Sequence, residues 1–570
     1  MVRTVADVMV DVLVNAGAER CYGVAGDTLN YFTDAVRRSD LRWLHVRHEE
    51  AGAMAAGADS LLSDGLTVCA GSAGPGSLHF INGLWESHRN RAPVVMIAST
   101  ITRDELGFEF PQEVDFKAIY GKGTVFCEEV RTPAQAGRMT AMAAQAALTR
   151  KGVAVLIVPV DVSHAPAPDV PAFAVHRTAP VVRPSEQELD RIAEALNAGK
   201  RITVYGGSGC AGAHDQVVAL AERLKAPVAR TSRAKDFLEH DNPYDVGMTG
   251  VFGTKGGYKA ITECDTLLLL GCDFAWRQFY PEKATVIQVD VDGAHLGRRH
   301  PVDVAAVGDI GPTLDALLPR LRERRERAFL DGAVAEARHA EAKLDRKAVV
   351  GHGDTHPQYL VETIAAHAQP DAVFTADGGS PMVWLLRHVP SNGRNRTLTS
   401  LSHGTMANAM PQALGAQAAF PGRQVISLSG DGGIAMLLGD LLTARQENLP
   451  IKVCVFNNSS LGFVELEQKV EGLLDSYTDL LNPDFARVAE AMGLWGRRVD
   501  KPDDVEVAVS AWLAQPGPAL LDVVVARNEL VFPAKIEPGQ VFGTALYSAK
   551  AILAGRTDSL IDLAKGVISD

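Results

Sequence analysis

The sequence predicts an α/β protein built from three doubly wound parallel-sheet domains and a C-terminal tail. Three observations lead there. Short β-like runs alternate with helical runs through most of the 570 residues, as expected when helices cover both faces of parallel sheets. Two segments interrupt the alternation. The length suits about three or four domains at roughly 150 residues each.

The elements follow in chain order. Candidate strands include Trp43–Val46, Leu66–Ala70, Pro93–Ala98, Ile202–Tyr205, Thr266–Leu270, Thr285–Val289, Ala372–Thr375, Gln424–Leu428, Ile451–Phe456 and Ala519–Val525. The first interruption, SHAPAPDVPAFAVHRTAPVVRP at 163–184, is proline-rich. Proline continues neither a helix nor a central strand, so this stretch reads as a linker. The second, from about Arg322 to Gly353, is charged and precedes a new strand. The resulting divisions are 1–165, 184–345, 354–530 and a tail at 531–570. In the tail, Phe542, Leu546, Ala549 and Leu553, then Leu560, Leu563 and Val567 beyond Gly555, recur at helical spacing. Two short amphipathic helices, or a simple cap on the third domain, explain that pattern equally.

Composition narrows the function classes. Apolar residues make up 46% and charged residues 22%, with each division long enough for its own core. The net charge of −13 argues against a nucleic-acid partner, because phosphates attract basic faces. Seven scattered cysteines without a CxxC pair read as reduced thiols of a cytoplasmic protein. The first residues, MVRTVADVMVDVLVNAGAE, have helical spacing rather than the form of a signal peptide. No apolar run approaches the 18 residues or so of a membrane span.

The sharpest motif lies in the third division. RQVISLSGDGG is an apolar strand ending in Gly430-Asp431-Gly432, and after 24 intervening residues Asn457-Asn458 ends the strand IKVCVF. In a parallel sheet both polar tips emerge at the carboxyl edge, where α/β sheets bind ligands. Asp431 and Asn458 offer a carboxylate and an amide oxygen, hard donors suited to Mg²⁺. The glycines let backbone N–H groups approach a diphosphate. A lone GDG is more often a tight turn; the second strand tip at this spacing reverses the balance. In the first division, VRHEEAGAMAAGA places Glu49 and Glu50 where a strand meets an Ala/Gly-rich helix. They are either first-turn residues stabilised by the helix dipole or a functional acid. GSAGPGSLHFINGL at 71–84 opens with a glycine-rich turn that could present N–H groups to an anion. YGGSGCAGAH at 205–214 follows a strand and opens a helix, yet lacks a proper GxGxxG and its acidic ribose partner.

Taken together, GDG-x24-NN and HEE followed by AGAMAAGA resemble the thiamine diphosphate (ThDP) enzymes of the pyruvate oxidase, acetolactate synthase and pyruvate decarboxylase group. The resemblance covers nearly the whole chain and is nearest to the quinone-linked bacterial pyruvate oxidases. It implies that Glu49, rather than Glu50, promotes removal of the thiazolium C2 proton, and that Mg²⁺ is held by Asp431, Asn458 and the carbonyl of Ser460. Met406 matches the apolar residue that bends the cofactor. Gly379, Ser380, His403, Gly404, Gly430 and Gly432 match turns lining the diphosphate. Gln112, Phe463, Val464 and Glu467 match the substrate side. Pro111 stands where the family has Phe, which alters the pocket, although Phe110 adjoins it.

The middle division resembles FAD-binding pyruvate oxidases through SGCAGAH, EHDNPYDVGMTG, GCDFAWRQFYP, QVDVD and VGDI. Gly207, Gly209, Arg233, Met248, Asp273, Phe274, Asp290 and Asp309 are the matching positions, and Ala234 replaces a glycine of the family. The implied activity is oxidative decarboxylation of pyruvate to acetate and CO₂ through hydroxyethyl-ThDP, with electrons passing through FAD to a quinone. The implied assembly is a homotetramer with ThDP between subunits, touching the inner face of the membrane peripherally through the tail. Alternatives are an acetolactate synthase-like carboligase with structural FAD, a phosphate-dependent pyruvate oxidase, and a non-catalytic ligand-binding scaffold. The synthases carry a tryptophan in a QWQ context where this chain has Glu465-Leu466-Glu467-Gln468, and a scaffold would have lost motifs that are intact here.

Overall fold

A computed structural model of the chain describes residues 3–169, 171, 173–344, 348, 350, 353–527, 529, 546, 547 and 550. It contains three six-stranded sheets, all parallel, interleaved with helices, as the sequence predicts. The first holds β1 (Arg20–Gly23), β2 (Arg42–His45), β3 (Thr67–Gly71), β4 (Val94–Thr100), β5 (Phe126–Glu129) and β6 (Val153–Pro159), in the order β2-β1-β3-β4-β6-β5. The second holds β7 (Ile202–Gly206), β8 (Val228–Arg230), β9 (Asp245–Met248), β10 (Thr266–Leu270), β11 (Thr285–Asp290) and β12 (Val304–Val307), in the order β12-β11-β10-β7-β8-β9. The third holds β13 (Val373–Ala376), β14 (Arg396–Thr399), β15 (Val425–Gly430), β16 (Lys452–Asn457), β17 (Trp495–Val499) and β18 (Ala519–Val524), in the order β14-β13-β15-β16-β18-β17.

The first and third sheets therefore share one strand order, whereas the middle sheet has the mirror-symmetric order of dinucleotide-binding folds. The three units look alike in the sequence, yet only the outer two share a topology. Central strands such as β4, β6 and β10 are buried along their whole length. That explains their continuous apolar sequence: helices cover both faces, so no position faces water.

One core joins two domains. Tyr22, Leu44 and Met54 of the first domain pack in one cluster with Met410, Leu414, Val425 and Val453 of the third. The seam is the helix Glu49–Ser63 against the helix Ala409–Ala419. Small residues allow this approach: a Cβ added at Gly415 would lie 2.0 Å from the Ala55 carbonyl oxygen. Neither helix has a polar face, because neither faces water.

All seven cysteines are free and buried. No helix among the described residues is long and apolar enough to cross a membrane. The amphipathic tail expected at 531–570 lies outside the described residues except for Leu546, Tyr547 and Lys550.

Candidate active site

Ala376 of β13 pairs with Leu428 of β15, and Gly430 of β15 pairs with Phe456 of β16. This register brings Asp377, Asp431 and Asn458 out at one carboxyl edge. Asp377 and Asp431 flank the point where the strand order reverses, between β13 and β15. Asp431 is buried at 3% exposure and opens a short helix after Gly430. Its Oδ1 accepts from the Gly432 N–H at 2.9 Å, and its Oδ2 from the Ser459 N–H at 2.7 Å and Asn482 Nδ2 at 2.8 Å. Burial raises its pKa above the ordinary aspartate value, while these donors oppose the rise. Asn458 Oδ1 accepts from the Ser460 N–H at 3.0 Å, and Ser459 turns left-handed at φ 54° between them.

The surrounding turns converge on the same point. A Cβ at Gly432 would meet Leu461, Leu480 and Met406 Cε at 2.9, 3.2 and 3.3 Å, so Met406 lies over the GDG turn. A Cβ at Gly433 would lie 2.2 Å from Asp377 Oδ2. Gly379 (φ 127°) caps the helix that Ser380 opens, in a conformation reserved for glycine. Gly404 (φ 76°) and the exposed His403 lie on the loop before Met406. Asp377 accepts from the N–H groups of Ala409 at 2.9 Å and Gly430 at 3.0 Å, and burial pushes its carboxyl up to about 7.

Glu49 is the first residue of its helix and is 7% exposed. Its Oε2 lies 3.1 Å from Nδ1 of His79, which stacks on His48 at 4.9 Å between ring centroids. His48 also caps the helix by accepting from the Glu50 N–H. Among the described residues, no hydrogen bond or ion pair joins Glu49 to the Asp431 turn. Gln112 does meet the glycine-rich turn of its own domain: a Cβ at Gly74 (φ 64°) would lie 2.8 Å from the Gln112 Cβ. Gln112 is itself left-handed at φ 70°.

On the helix Gly462–Val470, Phe463 is half-buried and its ring lies 6.3 Å from that of Phe252 in the middle domain. Val464 and Glu467 are exposed on this chain; the Glu467 carboxyl is raised by partial burial and then by Glu471. In the middle domain, Gly207 and Gly209 lie where β7 and β10 part. Their N–H groups bond to the carbonyls of Leu270 (2.9 Å) and Gly271 (3.1 Å), and a Cβ at Gly207 would meet Gly271 O at 2.1 Å. They are glycine because two chain segments touch there.

The other matching positions spread around that sheet. Arg233 donates to Asn90 Oδ1 at 3.0 Å and Ser402 Oγ at 2.7 Å; burial, then Arg91, lowers its pKa. Met248 packs into the core of the third domain. Burial would raise the Asp273 pKa, but Arg299 and Arg298 bind the carboxylate and bring it below the ordinary value. Phe274 packs edge-on against Tyr205. Asp290 contacts His295 Nδ1 at 3.1 Å, and Asp309 pins the linker by accepting from the Val182 N–H at 2.7 Å.

The donor chemistry fits a divalent cation and a diphosphate. Asp431 is a buried carboxylate whose pKa is perturbed only by burial and by neutral N–H donors, so a bound cation would supply the missing counter-charge. Among the described residues no cluster of three His, Cys, Asp or Glu stands ready for a metal; this site draws on one carboxylate and neutral oxygens instead. Sequence reading missed His79, Asn482 and Glu465. Asn482 lies in LNPD, and only folding brings it to Asp431 and to Asn457 Oδ1 (3.0 Å). Glu465 is 4% exposed, accepts from Ser460 Oγ and pairs with Lys469 at 2.6 Å.

Residues 3–119, 189–317 and 377–523 match, in order, the N-terminal TPP binding domain, the central domain and the C-terminal TPP binding domain of thiamine pyrophosphate enzymes. The chain is similar to a putative thiamine pyrophosphate-containing protein, YdaP, of Bacillus subtilis, at 32% identity over 99% of each chain. It is 30% identical to a pyruvate oxidase of Lactiplantibacillus plantarum, over 91% of this chain and 88% of the relative. It is also 30% identical to an acetolactate synthase large subunit of Parasynechococcus marenigrum, over 94% of this chain and 89% of the relative. Because the oxidase and the synthase stand at equal identity, the comparisons carry the family and not the reaction within it. With all three domains matched in order and one relative aligned end to end, the chain belongs to the thiamine pyrophosphate enzyme family.

Proposed function

We propose that this protein oxidatively decarboxylates pyruvate to acetate and CO₂ using ThDP, Mg²⁺ and FAD, and hands the electrons to a quinone. One observation favours this reading over carboligation: Phe463, on the helix that follows the Asn457-Asn458 tip, packs against Phe252 of the middle domain, so the two domains meet through aromatic rings beside the candidate site. The run Glu465-Leu466-Glu467-Gln468 supports it, since acetolactate synthases carry a tryptophan in that context. The middle sheet has the strand order that opens a crevice for a dinucleotide between β7 and β10.

When bound, ThDP supplies an electron sink for decarboxylation and FAD a two-electron acceptor. The chain's own residues bind and orient. Asp431, the Asn458 amide and the Ser460 carbonyl hold Mg²⁺, and Gly379, Ser380, His403 and Gly404 border the diphosphate. Met406, over the Gly432 turn, would pack against the bound cofactor. Glu49 presents a carboxyl group shielded from water, with His79 Nδ1 at 3.1 Å to steady it. Gln112 and the Gly74 turn frame the keto acid. In the homotetramer that this reading implies, Glu49 of one copy would complete the site at the Asp431 turn of another.

Anaerobic addition of pyruvate is the test. The yellow protein should bleach and acetate should accumulate. FAD that stays oxidised while acetolactate builds up would select the carboligase, and a requirement for phosphate with acetyl phosphate as product would select the phosphate-dependent oxidase.

A further inference from the structure

The loop that presents His403, Gly404 and Met406 is tied to the first domain of its own chain by one face of one helix. Asn82 and Glu86, four residues apart on the helix Ile81–Arg89, both point at this loop. Asn82 Nδ2 donates to Thr405 Oγ1 at 3.0 Å and to Glu50 Oε1 at 2.7 Å, and Asn82 Oδ1 lies 2.8 Å from His403 Nε2. Glu86 is 1% exposed, and its Oε2 accepts from Ser400 Oγ at 2.5 Å.

Two hydrogen-bond chains run on from Glu86. In the first, Ser400 Oγ accepts from the Thr405 N–H at 2.9 Å, and Thr405 Oγ1 donates to the Met406 carbonyl at 3.0 Å. In the second, Gln412 Nε2 donates to Glu86 Oε1 at 3.2 Å and Gln412 Oε1 accepts from Asn408 Nδ2 at 3.0 Å. Asn408 Oδ1 in turn accepts from the Gly378 N–H at 2.9 Å. Burial raises the Glu86 pKa, and the hydrogen bonds from Ser400 and Asn90 oppose the rise. A buried acid is costly unless its lone pairs are used, and these bonds use them on two turns of another domain.

We propose that Asn82 and Glu86 are positioning residues that fix the loop 400–406 and the Gly378 turn in the conformation that receives ThDP, so the first domain of each chain pre-organises the cofactor turns of its own third domain. The proposal rests on the ThDP reading of those turns. Neither residue is placed against the cofactor, so both act through Ser400, Thr405 and Asn408. A loop held by three hydrogen bonds from another domain needs less ordering when a ligand arrives, which raises affinity without a new contact.

The test uses the full-length protein and the variants Ser400→Ala, Glu86→Gln and Asn82→Ala. ThDP binding with Mg²⁺ is measured by calorimetry, and backbone hydrogen exchange is followed without cofactor. Ser400→Ala should fold with a cooperative melt, exchange faster at 400–408 but not at 425–430, and bind ThDP about tenfold more weakly, the scale of one lost hydrogen bond to a charged group. Glu86→Gln, which keeps shape and one acceptor, should lie between Ser400→Ala and the unaltered protein. Unchanged exchange at 400–408 and unchanged ThDP affinity in all three variants would overturn the proposal. Faster exchange with undiminished affinity would also overturn it, since order in the loop would then not matter to binding. If the unaltered protein binds no ThDP, the cofactor reading falls and this inference with it.

Discussion

Asp377 shows how one residue links the site to stability. Its carboxyl is wholly enclosed, meets backbone N–H groups of Ala409 and Gly430, and is pushed up to about 7 by burial from an ordinary 3.8. Between about pH 4 and pH 7 the unfolded chain has lost this proton and the folded chain keeps it, so folding stability falls as pH rises through that window and levels off above it. Replacing Asp377 with Asn should flatten this slope. Melting temperatures of both proteins without cofactor, taken across the window, check it; parallel curves would remove Asp377 as the cause. At Glu49, exchange to Gln keeps the shape beside His79 and removes the acid, so ThDP affinity should persist while C2 proton exchange slows by about 10²–10⁴-fold. Proton NMR of the bound cofactor reads this directly. Asp431→Ala should abolish Mg²⁺-dependent ThDP binding. Asn482→Ala, which strips a donor from Asp431 Oδ2, should weaken it by about 10–100-fold. Normal affinity by calorimetry in both would refute the metal assignment.

At the scale of elements, the helix Glu49–Ser63 was legible from its composition, but its Ala/Gly pattern acquires a reason only against its partner. Gly415 faces the Ala55 carbonyl so closely that Gly415→Ala must push two helices apart. The expected cost is about 1–3 kcal/mol, read as a lower denaturation midpoint; an unchanged midpoint would mean that the seam is looser than it looks. Strand recognition shows the same division. Buried strands such as β10 and β15 stand out in the sequence as apolar runs. The edge strands β5, β9, β12, β14 and β17 are four or five residues long and partly exposed, so their sequences carry polar residues and give little signal, although the edge strand β2 was legible at Trp43–Val46 and the fully buried β6 was not among the candidates.

Across the whole molecule, the proposed homotetramer with ThDP between subunits predicts that activity requires assembly. Sedimentation should give a particle of about four 60.8 kDa chains, and dilution to a monomer should abolish turnover; an active monomer would exclude the shared site.

The sequence by itself determined the α/β class, the family, and the strand-tip motifs around Asp431 and Asn458, because these are local: apolar runs, glycine turns and short spacings survive in one dimension. Tertiary structure decided the rest. It set the middle sheet's different strand order, the use of the Gly207 and Gly209 N–H groups in chain packing, and the approach of Asn482 to Asp431. It alone placed Asn82 and Glu86, which sit in an ordinary helical stretch, against a loop more than 300 residues away. Such contacts depend on which strands neighbour one another and on how closely two domains can approach, and neither leaves a pattern in the residues that make the contact.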